Sequence, residues 1–168
     1  EGSWSRYKPE KGKDKRGVSG FDQKKLLEIS EKINSTPEEL NLHKTIIKIL
    51  NTRRASVSDG KGIDWSTAEA LAFGSLLEEG YPVRLVGQDS GRGTFSQRHS
   101  VLRNQEDNSR YVPLNNISKV QKRYEIVDSF LSELAVLGFE YGYSLVQPNT
   151  LTMWEAQFGD FANGAQVV

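Results

Sequence analysis

The feature that most constrains the fold is the alternation of short β-rich runs with helical segments in the second half of the chain. Residues 83–86, 124–127 and 151–154 are rich in Val, Leu, Ile, Tyr and Trp. Residues 133–145 are almost entirely apolar or small and have the length of a helix. Strands that alternate with helices form βαβ units, so the sequence predicts an α/β domain with a parallel sheet.

The first 20 residues show no hydrophobic periodicity and hold Gly12, Gly17 and Gly20 within a strongly charged stretch. This composition is typical of a flexible linker, and its excess of Lys and Arg makes the linker basic. A basic segment could contact nucleic acid, but Trp4 and Tyr7 are too few aromatic residues to form a stacking platform. We therefore predict a solvated linker at 1–20 and no nucleic-acid partner.

Residues 21–58 are predicted to form a helical arm. Asp22 can cap a first helix that runs to Ile33. The tetrapeptide Thr-Pro-Glu-Glu at 36–39 combines a cap residue, Pro at the first helical position and Glu for a capping box. A second helix is therefore predicted to begin there and to end near Arg54.

Residues 59–168 form the remaining predicted unit. Asp64 or Ser66 can cap a helix that runs through Glu79. Residues 87–119 then make a connection too long for an ordinary loop, and it leaves the carboxyl end of a predicted strand. Ligands of open parallel sheets bind at that end, so the loop is predicted to be functional. Because its Gly, Ser and Asn residues bury little, we also expect it to be mobile without ligand.

The composition excludes several kinds of function. The chain has 168 residues, 36% hydrophobic and 26% charged, which fits one soluble globular domain. It has no Cys and two His, so neither a thiolate metal site nor a histidine-rich metal centre is expected. No apolar run approaches the roughly 20 residues that cross a bilayer. We expect no membrane contact and no metal ligands in this chain.

Three groups of residues are candidates for chemistry. Glu133 either caps its helix with Ser132 or acts as a functional carboxylate, and the local pattern favours the cap. Phe158 and Phe161 have the spacing of residues on one face of a helix, which is more often a core feature than a ligand contact. Residues 92–99 combine two Arg, hydroxyl groups and a His, which suits a dicarboxylate or a phosphate but also a solvated surface loop.

Segments 87–99, 132–143 and 151–166 together resemble the family of thiamine-diphosphate-dependent first components of 2-oxoglutarate dehydrogenase complexes. The resemblance runs from about Asp64 to Val168 and more weakly back to Phe21. It implies a transketolase-like pyrimidine-binding domain in a protein that decarboxylates 2-oxoglutarate on thiamine diphosphate with magnesium. The resulting succinyl unit would pass to a lipoyl group.

The resemblance also implies roles for particular residues. Glu133 would be catalytic and would hydrogen-bond the aminopyrimidine ring of the cofactor, while Phe161 and, beside it, Phe158 would pack on that ring. His99 keeps the family pattern and is a catalytic candidate, whereas Gln97 stands where many members carry His, so no catalytic duty is carried over to it. Substrate binding is predicted for two arginines of the same loop, Arg98 and Arg92.

The family's metal and diphosphate half uses a Gly-Asp-Gly segment that has no matching stretch here. The chain is therefore expected to be an internal fragment, inactive alone, that holds the N-terminal part of the pyrimidine-binding domain. The implied partners are a second identical subunit, a lipoyl-bearing succinyltransferase and dihydrolipoamide dehydrogenase, in the cytoplasm of a bacterium or the mitochondrial matrix of a eukaryote. The alternative is a non-catalytic anion-binding or oligomerisation module whose long loop grips an anionic ligand.

Overall fold

A computed structural model describes residues 2–8 and 17–168. Four helices are present in this part of the chain: α1 (Gln23–Ile33), α2 (Lys44–Asp59), α3 (Trp65–Glu78) and α4 (Glu133–Val146). The strands are β1 (Val83–Gly87), β2 (Leu102–Arg103), β3 (Arg110–Tyr111), β4 (Tyr124–Asp128) and β5 (Leu151–Glu155). The predicted linker falls partly on residues 1 and 9–16, which lie outside the described residues.

Strands β4, β1 and β5 form one parallel sheet with β1 in the centre. Val83 lies opposite Tyr124 on one side and Leu151 on the other. The register continues to the ends of the strands, so Gly87, Asp128 and Glu155 meet at one edge, which we call the carboxyl edge. The predicted α/β fold with a parallel sheet is confirmed.

Helices α1 and α3 build the main core against one face of the sheet. Ile29 of α1 and Leu77 of α3 have no exposed surface, and both belong to the hydrophobic cluster that contains Val83 of β1. The two helices approach closely at Gly74, where an added Cβ would lie 2.6 Å from Ile29 Cγ2. The core contains residues of both predicted units, because Ile29 belongs to the helical arm and Val83 to the α/β part; the division at residue 59 stays a prediction.

The predicted caps of α1 and α3 are confirmed, but the predicted start of α2 is wrong. Residues 37–40 form a turn, in which the Leu40 N–H donates to the Pro37 carbonyl at 3.1 Å. Helix α2 begins at Lys44, and His43 caps it by accepting from the Thr45 N–H at 3.2 Å. Leu42 is buried with Leu50 and Leu102, so the non-helical chain at 40–43 delivers a leucine to a core that a local capping pattern does not reveal. The helix also continues past Arg54 to Asp59.

The long connection at 87–119 is packed rather than loosely solvated. It contains the β2–β3 hairpin and buries Ser90, Leu102, Leu114 and Ile117. The expectation that its Gly, Ser and Asn residues bury little is wrong for Ser90, Gly91, Gly93 and Ser100, which are buried. Its apolar residues contribute to both hydrophobic clusters of the chain. Its mobility stays a prediction.

Short segments lie at both ends of the described chain. Residues 160–162 and 164–167, which follow β5, form 3₁₀ turns. Near the start, Trp4 donates through Nε1 to the Leu145 carbonyl, and Tyr7 contacts the Asn149 side chain beyond the end of α4. None of the helices in the described ranges is long and apolar enough to cross a membrane.

Candidate functional site

Glu133 lies at the first turn of α4, at the carboxyl edge of the sheet. The helix cap is supplied by Ser132, whose Oγ accepts from the Ala135 N–H at 3.4 Å. Glu133 instead accepts a hydrogen bond from Asn163 Nδ2 at 3.0 Å through Oε1, and its side chain is half-buried. The capping role favoured by the local sequence pattern therefore belongs to its neighbour, and the Glu133 carboxylate is turned toward the end of the chain.

A narrow groove at the carboxyl edge has Glu133 in one wall. Its lining comes from the ends of all three parallel strands and from the start of α4: Gly87, Gln88, Ser129, Leu131, Glu133, Val136, Trp154 and Asp160. Gly164 lies close to the same carboxylate, since an added Cβ would stand 3.3 Å from Glu133 Oε2. We call this set of residues the Glu133 groove.

Phe158 and Phe161 stand on a tight turn that follows β5. Asp160 is buried and fixes this turn, because its Oδ2 accepts from the Gln157 N–H at 2.6 Å. Phe158 is 100% exposed and Phe161 is 72% exposed. The core interpretation of these two rings is therefore wrong, and Asp160 is a site-forming residue to which sequence reasoning assigned no role.

The long loop reaches the same turn. Gln157 Nε2 donates to Thr94 Oγ1 at 2.9 Å, which joins residues 63 positions apart. This contact brings the Arg-rich segment next to the Phe158 turn. The loop therefore lies beside the carboxyl edge of the sheet.

Arg98 is buried, with 8% of its surface exposed, and it connects three elements. Its Nε donates to Glu69 of α3 at 2.7 Å, its Nη1 donates to the Ser90 carbonyl at 2.9 Å, and its Nη2 pairs with Glu155 at the end of β5. Burial opposes its charge, but the hydrogen bonds to the two carboxylates raise its pKa overall. Substrate binding by Arg98 stays a prediction, and it would require a ligand to displace one of these partners.

Arg53 of α2 is a second buried arginine, to which the sequence pattern gave no role. Its guanidinium donates to the Arg98 carbonyl at 3.0 Å and to Ser66 Oγ at 3.2 Å, and it also binds the Gln97 carbonyl. Burial lowers the pKa of Arg53, and the nearby Asp64 carboxylate offsets part of that shift. Arg53 therefore holds the backbone immediately before His99. Helical periodicity could not single it out, because an inward-facing Arg looks like any surface Arg in a sequence.

His99 does not line the Glu133 groove. It has a φ of 50°, in the left-handed region that non-glycine residues rarely adopt, and it is partly buried. Burial lowers its pKa, and the neighbouring Arg53 and Arg92 lower it further. Arg92 is half-exposed and pairs with Asp89. The structure brings His99 and Arg92 together at a separate cavity, while Glu133, Phe158 and Phe161 gather at the carboxyl edge.

Arg84 of β1 orients α4 and hence Glu133. Its guanidinium binds Glu140 with two hydrogen bonds of 2.7 and 2.8 Å and lies 4.8 Å from the centre of the Tyr143 ring. Glu140 is buried, so the pair fixes the helix on the sheet. Gly138 and Gly142 have open space around them, which rules out tight packing of these glycines within the described chain.

Comparisons with known proteins place this geometry in context. Residues 61–168 match the model of the family described as transketolase, pyrimidine binding domain. The whole chain is 54% identical to the 2-oxoglutarate dehydrogenase E1 component of Brucella anthropi and, equally, to that of Brucella canis, over 170 aligned residues. The chain spans 17% of the length of these curated relatives.

Proposed function

Because this chain belongs to the transketolase pyrimidine-binding domain family, we propose that it forms the pyrimidine side of a thiamine diphosphate site. The observation that carries the proposal is the position of Glu133. Its half-buried carboxylate lies at the carboxyl edge of a parallel sheet, where ligands of such sheets bind. Two exposed phenylalanine rings stand on the neighbouring turn.

The residues at this edge supply the kinds of groups that an aminopyrimidine ring binds. Glu133 Oε1 is bound by Asn163, while Oε2 has no hydrogen-bond partner in the part of the chain that the structure describes. Gly164 approaches that oxygen closely, since an added Cβ would lie 3.3 Å from Oε2. Phe161 and Phe158 offer apolar faces, so the edge combines a hydrogen-bonding carboxylate with aromatic surface.

Thiamine diphosphate, when bound, supplies an electron sink for cleavage of the bond between a keto carbon and its carboxylate. Glu133 would hold a proton between its carboxylate and a ring nitrogen of the pyrimidine, and Asn163 would keep that carboxylate oriented. Phe161 and Phe158 would cover the ring and exclude water. We assign no magnesium ligands, since the described residues contain no cluster of carboxylate and His groups suited to a metal ion.

We further propose that the protein acts on 2-oxoglutarate and passes a succinyl unit to a lipoyl group. The support is the identity of 54% with relatives named 2-oxoglutarate dehydrogenase E1 component. By the same argument the partners would be a lipoyl-bearing succinyltransferase and dihydrolipoamide dehydrogenase. A cytoplasmic location would follow from a bacterial source like that of these relatives.

A homodimer is the third part of the proposal. Helix α4 exposes an apolar face that includes Leu134, Tyr141 and Leu145, with Gly138 between them. Continuous apolar surface of this kind is typical of protein interfaces, and a second copy of the chain is the commonest partner of such a face.

The proposal is tested by Glu133→Gln in the protein expressed from its complete gene. This substitution keeps the size of the side chain and leaves the Ser132 cap intact. We expect hydrogen exchange at the reactive thiazolium carbon and decarboxylation to fall on the order of 10²-fold, with an unchanged melting temperature. Glu28→Gln, at an exposed position of α1, is the matched control and should leave both rates unchanged. Normal exchange and turnover in Glu133→Gln would remove the cofactor role.

A further inference from the structure

A second cavity borders the long loop and plays no part in the proposed cofactor site. It has a volume of about 250 Å³ and shares no lining residue with the Glu133 groove. Its ionisable lining residues come from α2, the loop, the β2–β3 hairpin and the end of β4: His43, Arg92, His99, Arg103, Arg110 and Asp128. We call this the basic cavity, and we propose that it binds a compact polyanion, a small molecule that carries phosphate or several carboxylate groups.

The main observation is the arginine pair of the hairpin. Arg103 and Arg110 lie directly opposite each other in the antiparallel β2–β3 ladder, and both line the cavity. Like charges in directly opposed positions destabilise a hairpin, so this pair works against local folding when no anion is present. An anion held between the two guanidinium groups would relieve that repulsion, and this relief would favour binding.

Neither guanidinium is neutralised by its neighbours. Arg103 Nη1 donates to the Asn108 carbonyl at 3.1 Å, and Arg110 has no side-chain hydrogen bond or ion pair with the described part of the chain. The hairpin also contains two acidic residues, but neither of them forms a hydrogen bond with these arginines. Glu106 accepts from Asn41, and Asp107 accepts from the Ser109 N–H.

Asp128 is the one carboxylate among the described lining residues, and its Oδ1 accepts from the Gly91 N–H at 2.8 Å. It forms no ion pair with Arg103 or Arg110 within the described chain, and Arg92 pairs with Asp89. Arg103 and Arg110 are therefore not held by a carboxylate of the cavity. Burial lowers the pKa of His99 in this cavity, and the charges of Arg53 and Arg92 lower it further.

His43 adds an imidazole group at the N-terminus of α2. Its Nδ1 accepts from the Thr45 N–H at 3.2 Å, which leaves Nε2 as the donor of the ring. The N-terminus of a 16-residue helix, which carries partial positive charge, lies beside the same cavity. Two arginines without ion pairs in the described chain, an imidazole N–H and a helix N-terminus together form a set of donors suited to an anion.

The size of the cavity restricts the ligand. Pockets for drug-sized molecules span about 300–1,000 Å³, so a cavity of this volume suits a smaller molecule. The guanidinium fork matches both phosphate and carboxylate oxygens. The shared chemistry is therefore several negative charges on a small frame.

The test is protection of the arginines from phenylglyoxal in the protein expressed from its complete gene, read residue by residue by mass spectrometry. Inorganic phosphate is added in one arm and malonate in another, each at constant ionic strength. We expect labelling of Arg103 and Arg110 to slow several-fold, and labelling of Arg54 to stay constant because it is a surface residue paired with Glu31. Protection by phosphate alone assigns a phosphate-bearing ligand, and protection by malonate assigns a polycarboxylate. No protection by either anion, or equal protection of Arg54, overturns the proposal.

A variant gives the second measurement. Arg110→Gln removes one unpaired guanidinium from an exposed position, so the fold is retained. The concentration of anion that half-protects Arg103 should then rise about tenfold, the loss expected for one charge-assisted contact. Exchange at the thiazolium carbon should be unchanged, which separates this proposal from the role of Glu133. An unaltered half-protection concentration in Arg110→Gln would refute the basic cavity as an anion site.

Discussion

The two helical layers that flank the parallel sheet differ in how completely they are covered. Helices α1 and α3 bury Ile29 and Leu77 fully against the sheet, whereas α4 leaves Leu134, Tyr141 and Leu145 about half exposed. Helices α3 and α4 are both apolar in sequence. The difference shows that the α3 layer is part of the folded core, while the outer face of α4 is surface available for a partner.

The largest difference between the layers should appear on truncation of one leucine in each. Leu77→Ala removes a fully buried side chain and should lower the free energy of unfolding by about 2–5 kcal/mol. Leu145→Ala on α4 should change it by less than about 0.5 kcal/mol. Denaturant unfolding of the chain followed by circular dichroism measures both. Equal losses would mean that the α4 face is covered within the chain itself.

Arg98 tests the connection between the α3 layer and the carboxyl edge. Arg98→Ala leaves Glu69 and Glu155 without their shared partner in a partly buried position, and we expect a loss of about 1–3 kcal/mol. Arg54→Ala breaks a surface ion pair with Glu31 and should cost less than about 1 kcal/mol. If both variants unfold at the same denaturant concentration, Arg98 is not the connection proposed here.

Two glycines sharpen the comparison, because replacing each by alanine should change the free energy of unfolding in opposite directions. Gly74→Ala places a Cβ 2.6 Å from Ile29 in the covered layer and should destabilise the chain by about 1–3 kcal/mol. Gly138→Ala meets no atom within 4 Å on α4 and should stabilise the chain by about 0.5–1 kcal/mol, because alanine favours the helix. Thermal melting of both variants is the measurement, and a destabilised Gly138→Ala would contradict an open α4 face.

The smallest expected effect is the pH dependence contributed by His99. Its pKa in the folded chain is lowered, so the unfolded chain binds the proton more readily and stability falls as the pH drops below about 6.5. His99→Asn keeps a residue that tolerates the positive φ and removes the titrating ring. As the pH falls from about 7 to about 5, the free energy of unfolding of this variant should decrease less than that of the natural chain.

The control for that prediction is Ser96→Asn, which alters a neighbouring residue of positive φ and introduces no titrating group. Its stability should follow the same pH profile as the natural chain. A His99→Asn profile that coincides with it would show that His99 does not carry the effect.

Local sequence patterns predicted two of the helix caps and the three parallel strands. Asp22 and Asp64 accept from the backbone N–H groups expected of caps, and β1, β4 and β5 lie where β-rich runs indicated strands. The start of α4 at Glu133 also follows from neighbouring residues, whereas the cofactor role of Glu133 came only from the family resemblance. These features depend on residues within one or two helical turns, so a sequence by itself determined them.

Contacts between distant residues were decided only by the tertiary structure. The start of α2 follows from burial of Leu42 with Leu102, and the roles of Arg84 and Arg98 follow from carboxylates 56 and 57 residues away, Glu140 and Glu155. The same is true of Asp160 and of the cross-strand arginines of the hairpin. Charge pairing and burial depend on which side chains folding brings together, and no local pattern of residues contains that information.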